Sequence, residues 1–387
     1  MGHPPLPVDT DEAQRTVLTL PPDASGVVVG APGTGKTRTI VERVARLVAD
    51  GMPPEALIVL TPTRQAATSL RDRLALAVGV ATTGPLARSV AAFAYQLVRA
   101  EMVRTAAEPP QLLTGPDEDQ LVADLLAGDA EDEQAGPSRW PDWLPAEVRA
   151  TRGFRTEVRA FLAECTTLGI EPDALAARAA AEDRPVWASM ASFAREYHRV
   201  RADMRGAHRD AAGLVREAVG LARAGGGAQG AFAQLRAVLV DDAQELTLGG
   251  VELLEACRDR GIAVLAFGDP DVGSGAFRGA TPENFARLAA SGRVHVLPVV
   301  HRGTPGQRDL TAEVTSRIGA AGVVAHRQRP TAAEPDGTVR ALALRSPAEE
   351  HDAIARLLRE RHVHAGVPWS DCVVIAHDTR QVLTLEA

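Results

Sequence analysis

Lysine is almost missing from this sequence. Of its 42 basic residues all but one are arginine, and the exception is Lys36. A coding bias toward Arg, Ala, Gly and Pro replaces lysine wherever any positive charge will serve. A lysine that survives it marks a place where a compact ammonium is needed. Aromatic residues are also scarce, at 4%, so the core must be built from Ala, Val and Leu. Three cysteines, Cys165, Cys257 and Cys372, stand far apart. That spacing excludes a disulfide framework and a paired-cysteine metal site, and reads as core thiols of a reducing cytoplasm. No apolar run approaches the roughly 18 residues of a membrane span. The N-terminal MGHPPLPVDTDEAQ lacks the basic and apolar regions of a signal peptide. Nor is there a positive excess: 50 acidic residues against 42 basic give a net charge of −8. A polyanionic partner would therefore need a local basic groove.

What remains is ordinary globular composition, 45% hydrophobic and 24% charged, which excludes a disordered chain. A length of 387 residues implies two or three domains. Residues 27–30 (VVVG) and 56–61 (ALIVLT) read as short buried strands, and 37–50 and 64–78 as helices, the opening of a parallel α/β unit. From about 96 to 224 the chain reads as mostly helical without a buried strand. Within it the acidic, breaker-rich stretch 128–145 reads as an exposed loop and the arginine-rich run 198–209 as a solvated helix face or, alternatively, a contact to a polyanion backbone. AGGGAQG (224–230) is a hinge. Strands return at 237–240, 262–268 and 294–300. The expected domains are thus 1–95 with 226–304, an insertion at 96–225, and a second α/β unit beginning at 305–387. In that last unit 339–345 and 372–378 read as strands around a helix at 347–362.

Gly30-Ala31-Pro32-Gly33-Thr34-Gly35-Lys36-Thr37 fits G-x-x-x-x-G-K-[ST] in full, after a strand and before a helix. The glycines let backbone N–H groups turn toward phosphate oxygens, and the helix start adds partial positive charge. Lys36 is placed to reach the β- and γ-phosphates and the Thr37 hydroxyl to ligate Mg²⁺. Arg38 follows in the first turn and joins the nucleotide-binding set. The plainer alternative is a chance Gly-rich turn, against which the sole lysine argues.

The strand AVLV (237–240) ends in Asp241-Asp242-Ala243-Gln244-Glu245. Asp241 fits a magnesium ligand, Asp242 a base or orienter for an attacking water, and Gln244 a sensor of the γ-phosphate. The plainer reading is an acidic helix cap. Phe267-Gly268-Asp269-Pro270-Asp271 repeats the strand-then-acid pattern. Phe277-Arg278 beyond it reads either as a base-stacking pair or as core aromatic plus solvated charge.

Taken together these residues resemble the UvrD/Rep-like superfamily 1 DNA helicases, with the actinobacterial AdnAB helicase–nuclease motor subunits the nearest flavour. The resemblance implies an α/β fold with a RecA-like P-loop NTPase sheet, a helical insertion, and an incomplete second RecA-like domain. It implies an ATP- and Mg²⁺-dependent motor moving 3′ to 5′ on single-stranded DNA, unwinding duplex in repair or recombination in the cytoplasm. A sister helicase–nuclease subunit is an implied partner. On this likeness Gln14 of DEAQ reads adenine, Thr61, Thr63 and Arg64 of LTPTRQAATSLRDRL contact single-stranded DNA, Phe277 and Arg278 lie in motif III, and Arg302 is directed at the γ-phosphate.

The sequence departs from that pattern at several positions. Asp242 stands where the family has Glu, Val272 where it has Gln, His301 where it has Tyr, and Ser89–Phe93 carries no histidine. The family's motifs V and VI, the latter supplying an arginine finger, are not found. The expectation is ATP–Mg²⁺ binding with slow hydrolysis and no strand separation by these residues alone. Two other readings stay open. One is a non-motor partner subunit that binds ATP and DNA. The other is a small-molecule P-loop kinase, which leaves the acids at 241–242 and the motif III likeness unexplained.

Overall fold

The computed structural model describes residues 10–204, 207–224, 232–275, 279–290, 292–319, 322–327 and 336–386. Compactness divides the chain into one unit of Met1–Gly303 with Thr311–Thr331 and another of Thr304–Leu310 with Ala332–Ala387.

The first unit opens with α1 (Glu12–Leu18), β1 (Gly26–Gly30), α2 (Lys36–Ala49), β2 (Leu57–Thr61), α3 (Arg64–Val78), β3 (Ala87–Ser89) and α4 (Val90–Arg104). A helical stretch follows: β4 (Pro110–Leu112), α5 (Gly115–Asp132), α6 (Ala146–Arg149), α7 (Arg152–Leu168), α8 (Pro172–Ala181), α9 (Pro185–Asp203), β5 (Ala207–Arg209) and α10 (Ala211–Arg223). Then come β6 (Ala237–Val240), α11 (Leu248–Asp259), β7 (Ala263–Gly268), α12 (Pro282–Ala290) and β8 (Arg293–Leu297); of α13 (Pro305–Ser316), residues up to Leu310 are assigned to the second unit and the rest to the first.

Six strands form one parallel sheet in the order β3-β2-β6-β7-β1-β8. A parallel sheet buries both faces, which is why its strands are unbroken apolar runs. Alternation along β1 sorts them: Val28 joins Ile40, Val44, Leu70, Leu74 and Phe267 on the side of α2 and α3. Val27 and Val29 join Phe93, Leu97, Leu214, Leu254 and Phe285 on the side of α4, α10, α11 and α12. The architecture is therefore α/β with a parallel central sheet.

Three sequence readings of the helical stretch need correcting. Two short strands, β4 and β5, pair with each other in parallel where no strand was expected. Three-residue strands carry no periodic signal. Residues 128–145 are an exposed loop only in their middle, at 134–138: α5 runs to Asp132, and Trp140 and Leu144 are buried in a separate apolar cluster with Val122, Leu162 and Phe193. Trp140 donates its indole N–H to buried Asp129 at 2.7 Å, so an acid read as solvated is spent inside. The basic run 198–209 is not simply a solvated face either. Arg201 pairs with Asp210, and Arg209 with Glu217 at 3.1 Å.

The second unit holds α14 (Pro347–Ala365) and α15 (Thr379–Glu386). The strands expected at 339–345 and 372–378 are not formed. Both segments lie outside any ladder and expose Leu342, Leu344, Val373 and Ile375. Both segments carry a strand-like apolar pattern, but a strand needs paired backbone neighbours and a covered face, and neither segment has them among the described residues.

Candidate functional site

In a parallel sheet, ligands bind beyond the carboxyl ends of the strands. Here four adjacent strands, β6, β7, β1 and β8, end in chemically loaded residues. β6 runs into Asp241, β7 into Asp269, β1 into the glycine-rich loop, and the segment after β8 reaches Arg302. The strand order thus gathers stretches 200 residues and more apart in sequence into one row.

The loop after β1 turns on Gly33 and Gly35, whose φ values of +89° and +81° disfavour any side chain. At Gly35 a Cβ would also lie 2.6 Å from the Gln14 amide nitrogen. Gly35 sits directly before α2, so the first turn of the helix and Lys36 begin at the bottom of the loop. Lys36 Nζ donates to the carbonyls of Gly30 at 2.6 Å and Ala31 at 3.1 Å. Burial lowers its pKa, opposed by Asp269, Asp242 and Asp241 and reinforced by Arg302. The ammonium therefore stands among three acids and one further cation.

The Thr37 hydroxyl donates to Asp241 Oδ2 at 2.8 Å, bridging α2 and β6. Burial, then the neighbouring charge of Asp242, pushes the Asp241 carboxyl up to about 6. Two hard oxygens converge beside a second carboxylate, a donor set suited to a divalent cation. Asp242 itself is exposed, with φ +50°, a left-handed conformation that aspartate tolerates better than most side chains. Gln244 is buried beneath it. Its Oε1 accepts from the Asp269 backbone N–H at 3.1 Å, and its amide nitrogen lies 3.5 Å from Asp242 Oδ1. Lys36, Thr37, Arg38, Asp242, Gln244, Asp269 and Arg302 line one cleft of ≈ 430 Å³, to which Val272 also contributes.

At the other end of the loop, Asp11 and Gln14 form a reciprocal cap on α1. Gln14 donates to the Thr34 carbonyl at 3.0 Å and meets His301 Nε2 at 3.3 Å, while His301 Nε2 lies 2.8 Å from Asp11. The His301 backbone N–H donates to Gly33 O at 2.9 Å. Residues 300–302 are in this way fastened to the phosphate loop.

Residues 10–291 match the family described as UvrD/REP helicase N-terminal domain. The chain belongs to this family. The UvrD/REP domain here is similar to DNA helicase II of Escherichia coli (strain K12), at 29% identity over 135 residues, which is 34% of this chain and 19% of that protein. It is also similar to the ATP-dependent DNA helicase UvrD2 of Mycobacterium tuberculosis (strain H37Rv), at 36% identity over 101 residues, 26% of this chain and 14% of the relative. The matched stretches span under a fifth of those curated relatives.

The expected DNA contacts are placed differently from one another. Thr61 is buried and donates to the Thr63 carbonyl at 2.8 Å, while Thr63 caps α3. Arg64 lines a cavity of ≈ 410 Å³ together with Thr68, Arg71, Arg88, Ser89 and Tyr95. Phe277 and Arg278 lie outside the described residues. Arg71 and Arg88 were missed in the sequence, although Arg64, Thr68 and Arg71 recur at helical spacing on one face of α3. Burial and the proximity of Arg71 lower the Arg88 pKa, a sign of two cations held close together.

One further cluster was not legible at all. His326 is buried, its Nε2 lying 3.1 Å from both Asp269 Oδ1 and Asp271 Oδ2. The three residues bring ligand atoms within 4.8 Å of one another. Arg327 already grips Asp271 with Nε at 2.7 Å and Nη2 at 2.6 Å, so one of the two carboxylates is matched by a cation. No helix among the described residues is long and apolar enough to cross a membrane.

Proposed function

We propose that this UvrD/REP domain is the ATP-binding portion of a DNA motor that travels 3′ to 5′ on a single strand in the cytoplasm, serving repair or recombination. The observation that carries the reading is the 2.8 Å contact of Thr37 with Asp241 in the cleft that also holds Lys36, Asp242 and Arg302. Gln14 and His301 flank the site for the adenine; the loop N–H groups, Lys36 and Arg302 take the phosphates. Thr37 and Asp241 would hold Mg²⁺, which supplies charge neutralisation of the β- and γ-phosphates when bound. Asp242, exposed at the cleft, orients or deprotonates a water, and Gln244 carries changes there to Asp269. Arg64, Arg71 and Arg88 give the local basic groove that a chain of net charge −8 needs, suited to a strand backbone, with Tyr95 beside it for stacking.

A second reading, a non-motor subunit that binds ATP and DNA beside a sister helicase–nuclease subunit, is favoured by Val272 in the cleft where the family has Gln. The two separate on ATP turnover with and without single-stranded DNA, for the native chain and Lys36→Ala. Turnover stimulated by DNA and lost with Lys36 supports the motor. Nucleotide binding without stimulated turnover supports the second reading. Undiminished ATP binding by Lys36→Ala sinks both.

A further inference from the structure

We propose that His326, which no sequence pattern singles out, is a positioning residue of the nucleotide site. It holds Asp269 opposite Lys36 and ties that carboxylate, through Asp271 and Arg327, to the end of α13. The proposal rests on the nucleotide-site reading given above.

The physical argument starts at Asp269. It leaves β7 buried, lines the cleft, and is the acid that acts most strongly on the Lys36 ammonium. An unrestrained carboxylate there would swing onto the ammonium and compete with a phosphate for it. The Asp269 carboxylate is restrained instead. Its Oδ1 accepts from the Asp271 backbone N–H at 3.0 Å and meets His326 Nε2 at 3.1 Å. Both groups facing Nε2 are carboxylate acceptors, so Nε2 carries the proton and donates. His326 is only 1% exposed, and its other ring nitrogen, Nδ1, is buried without a partner among the described residues. Leaving that nitrogen orphaned is a standing cost, so stability alone does not account for a histidine here.

The restraint is anchored further out. Arg327 forks onto Asp271 and also donates to the carbonyls of Ile318 at 3.2 Å and Gly319 at 3.1 Å, just past α13. A continuous hydrogen-bonded path therefore runs from the cleft to residues 318–319, all within the first unit.

The test compares ATP–Mg²⁺ affinity and steady-state turnover for four variants. Lys36→Ala should lose binding. His326→Ala should raise the Kd and KM for ATP about tenfold, the loss expected for one charge-assisted hydrogen bond, with kcat within about twofold. His326→Gln should restore both constants, because its terminal amide offers two N–H groups where Nε2 stood. A merely structural role would lower the melting temperature without this split or this rescue. Should His326→Ala not fold, Arg327→Gln interrogates the same path from outside the buried cluster. An unaltered KM in Arg327→Gln, or a raised KM in His326→Ala that Gln does not restore, overturns the proposal while Lys36→Ala still upholds the nucleotide site. Wild-type binding by Lys36→Ala overturns both.

Discussion

Replacing Asp241 by Asn should stabilise the nucleotide-free fold while destroying its use. The Asp241 carboxyl is buried beside Asp242 and titrates at about 6 instead of 3.8. At about 1.4 kcal/mol per pH unit, holding it ionised at neutral pH costs about 3 kcal/mol. Asn is isosteric and neutral. It keeps one acceptor for the Thr37 hydroxyl but loses the second oxygen, which accepts from the Asp242 N–H at 3.2 Å. That loss returns about 1 kcal/mol, leaving a net gain of about 2 kcal/mol. For a unit of this size, at about 2.1 cal/mol/K per residue, the melting temperature should rise by roughly 3 °C in EDTA, read by differential scanning fluorimetry. The sign in pH follows. Between pH 3.8 and about 6 the folded state binds more protons at this site than the unfolded one. The group's contribution therefore falls as pH rises through that window, and the penalty is complete above it. The Asn variant should flatten this slope. Mg²⁺-dependent ATP affinity should meanwhile drop at least tenfold, and in the native chain it should fade as pH is lowered through about 6. A melting temperature that falls in EDTA, or Mg²⁺–ATP affinity equal to the native chain, would refute the reasoning.

Two further outcomes are expected. Arg71→Ala and Arg88→Ala should each weaken single-strand binding and flatten the plot of log affinity against log salt by about 0.7, the contribution of one released phosphate counterion; titrations at several salt concentrations read this, and an unchanged slope removes these arginines from the groove. Phe267→Ala, at a fully buried position of β7, should cost about 3–5 kcal/mol in urea unfolding. A cost below about 1 kcal/mol would contradict the packing described.

The parts of this molecule that could be read in advance are those whose signal is local. β1, β2, β6 and β7 are apolar runs, three of which end beside glycine or acid and β2 at Thr61-Pro62, and the loop at 30–37 has its chemistry in consecutive residues. What escaped depends on partners distant in sequence. β3 is three residues long and exists because β2 lies beside it. Trp140 sits in an acidic, proline-flanked stretch, yet Asp129 and Phe193 take it inside. His326 looks like any loop histidine until Asp269 and Asp271, more than fifty residues earlier, are placed against it. The reverse error occurred at 339–345 and 372–378, where a good apolar pattern found no neighbouring strand.

The order of the sheet has a consequence for how the chain acquires its shape. β1 precedes the other strands of this sheet in chain order, yet its neighbours among the described residues are β7 and β8, ending at Gly268 and Leu297. β2 and β3 can associate early; β1 must remain unpartnered until more than two hundred further residues have been made. The glycine-rich segment after β1 is therefore translated well before it is locked. Pairings this distant fold slowly and leave an apolar strand open to wrong partners in the meantime. The vulnerable interval in this protein's biogenesis lies between synthesis of its phosphate loop and arrival of the strand that closes over it.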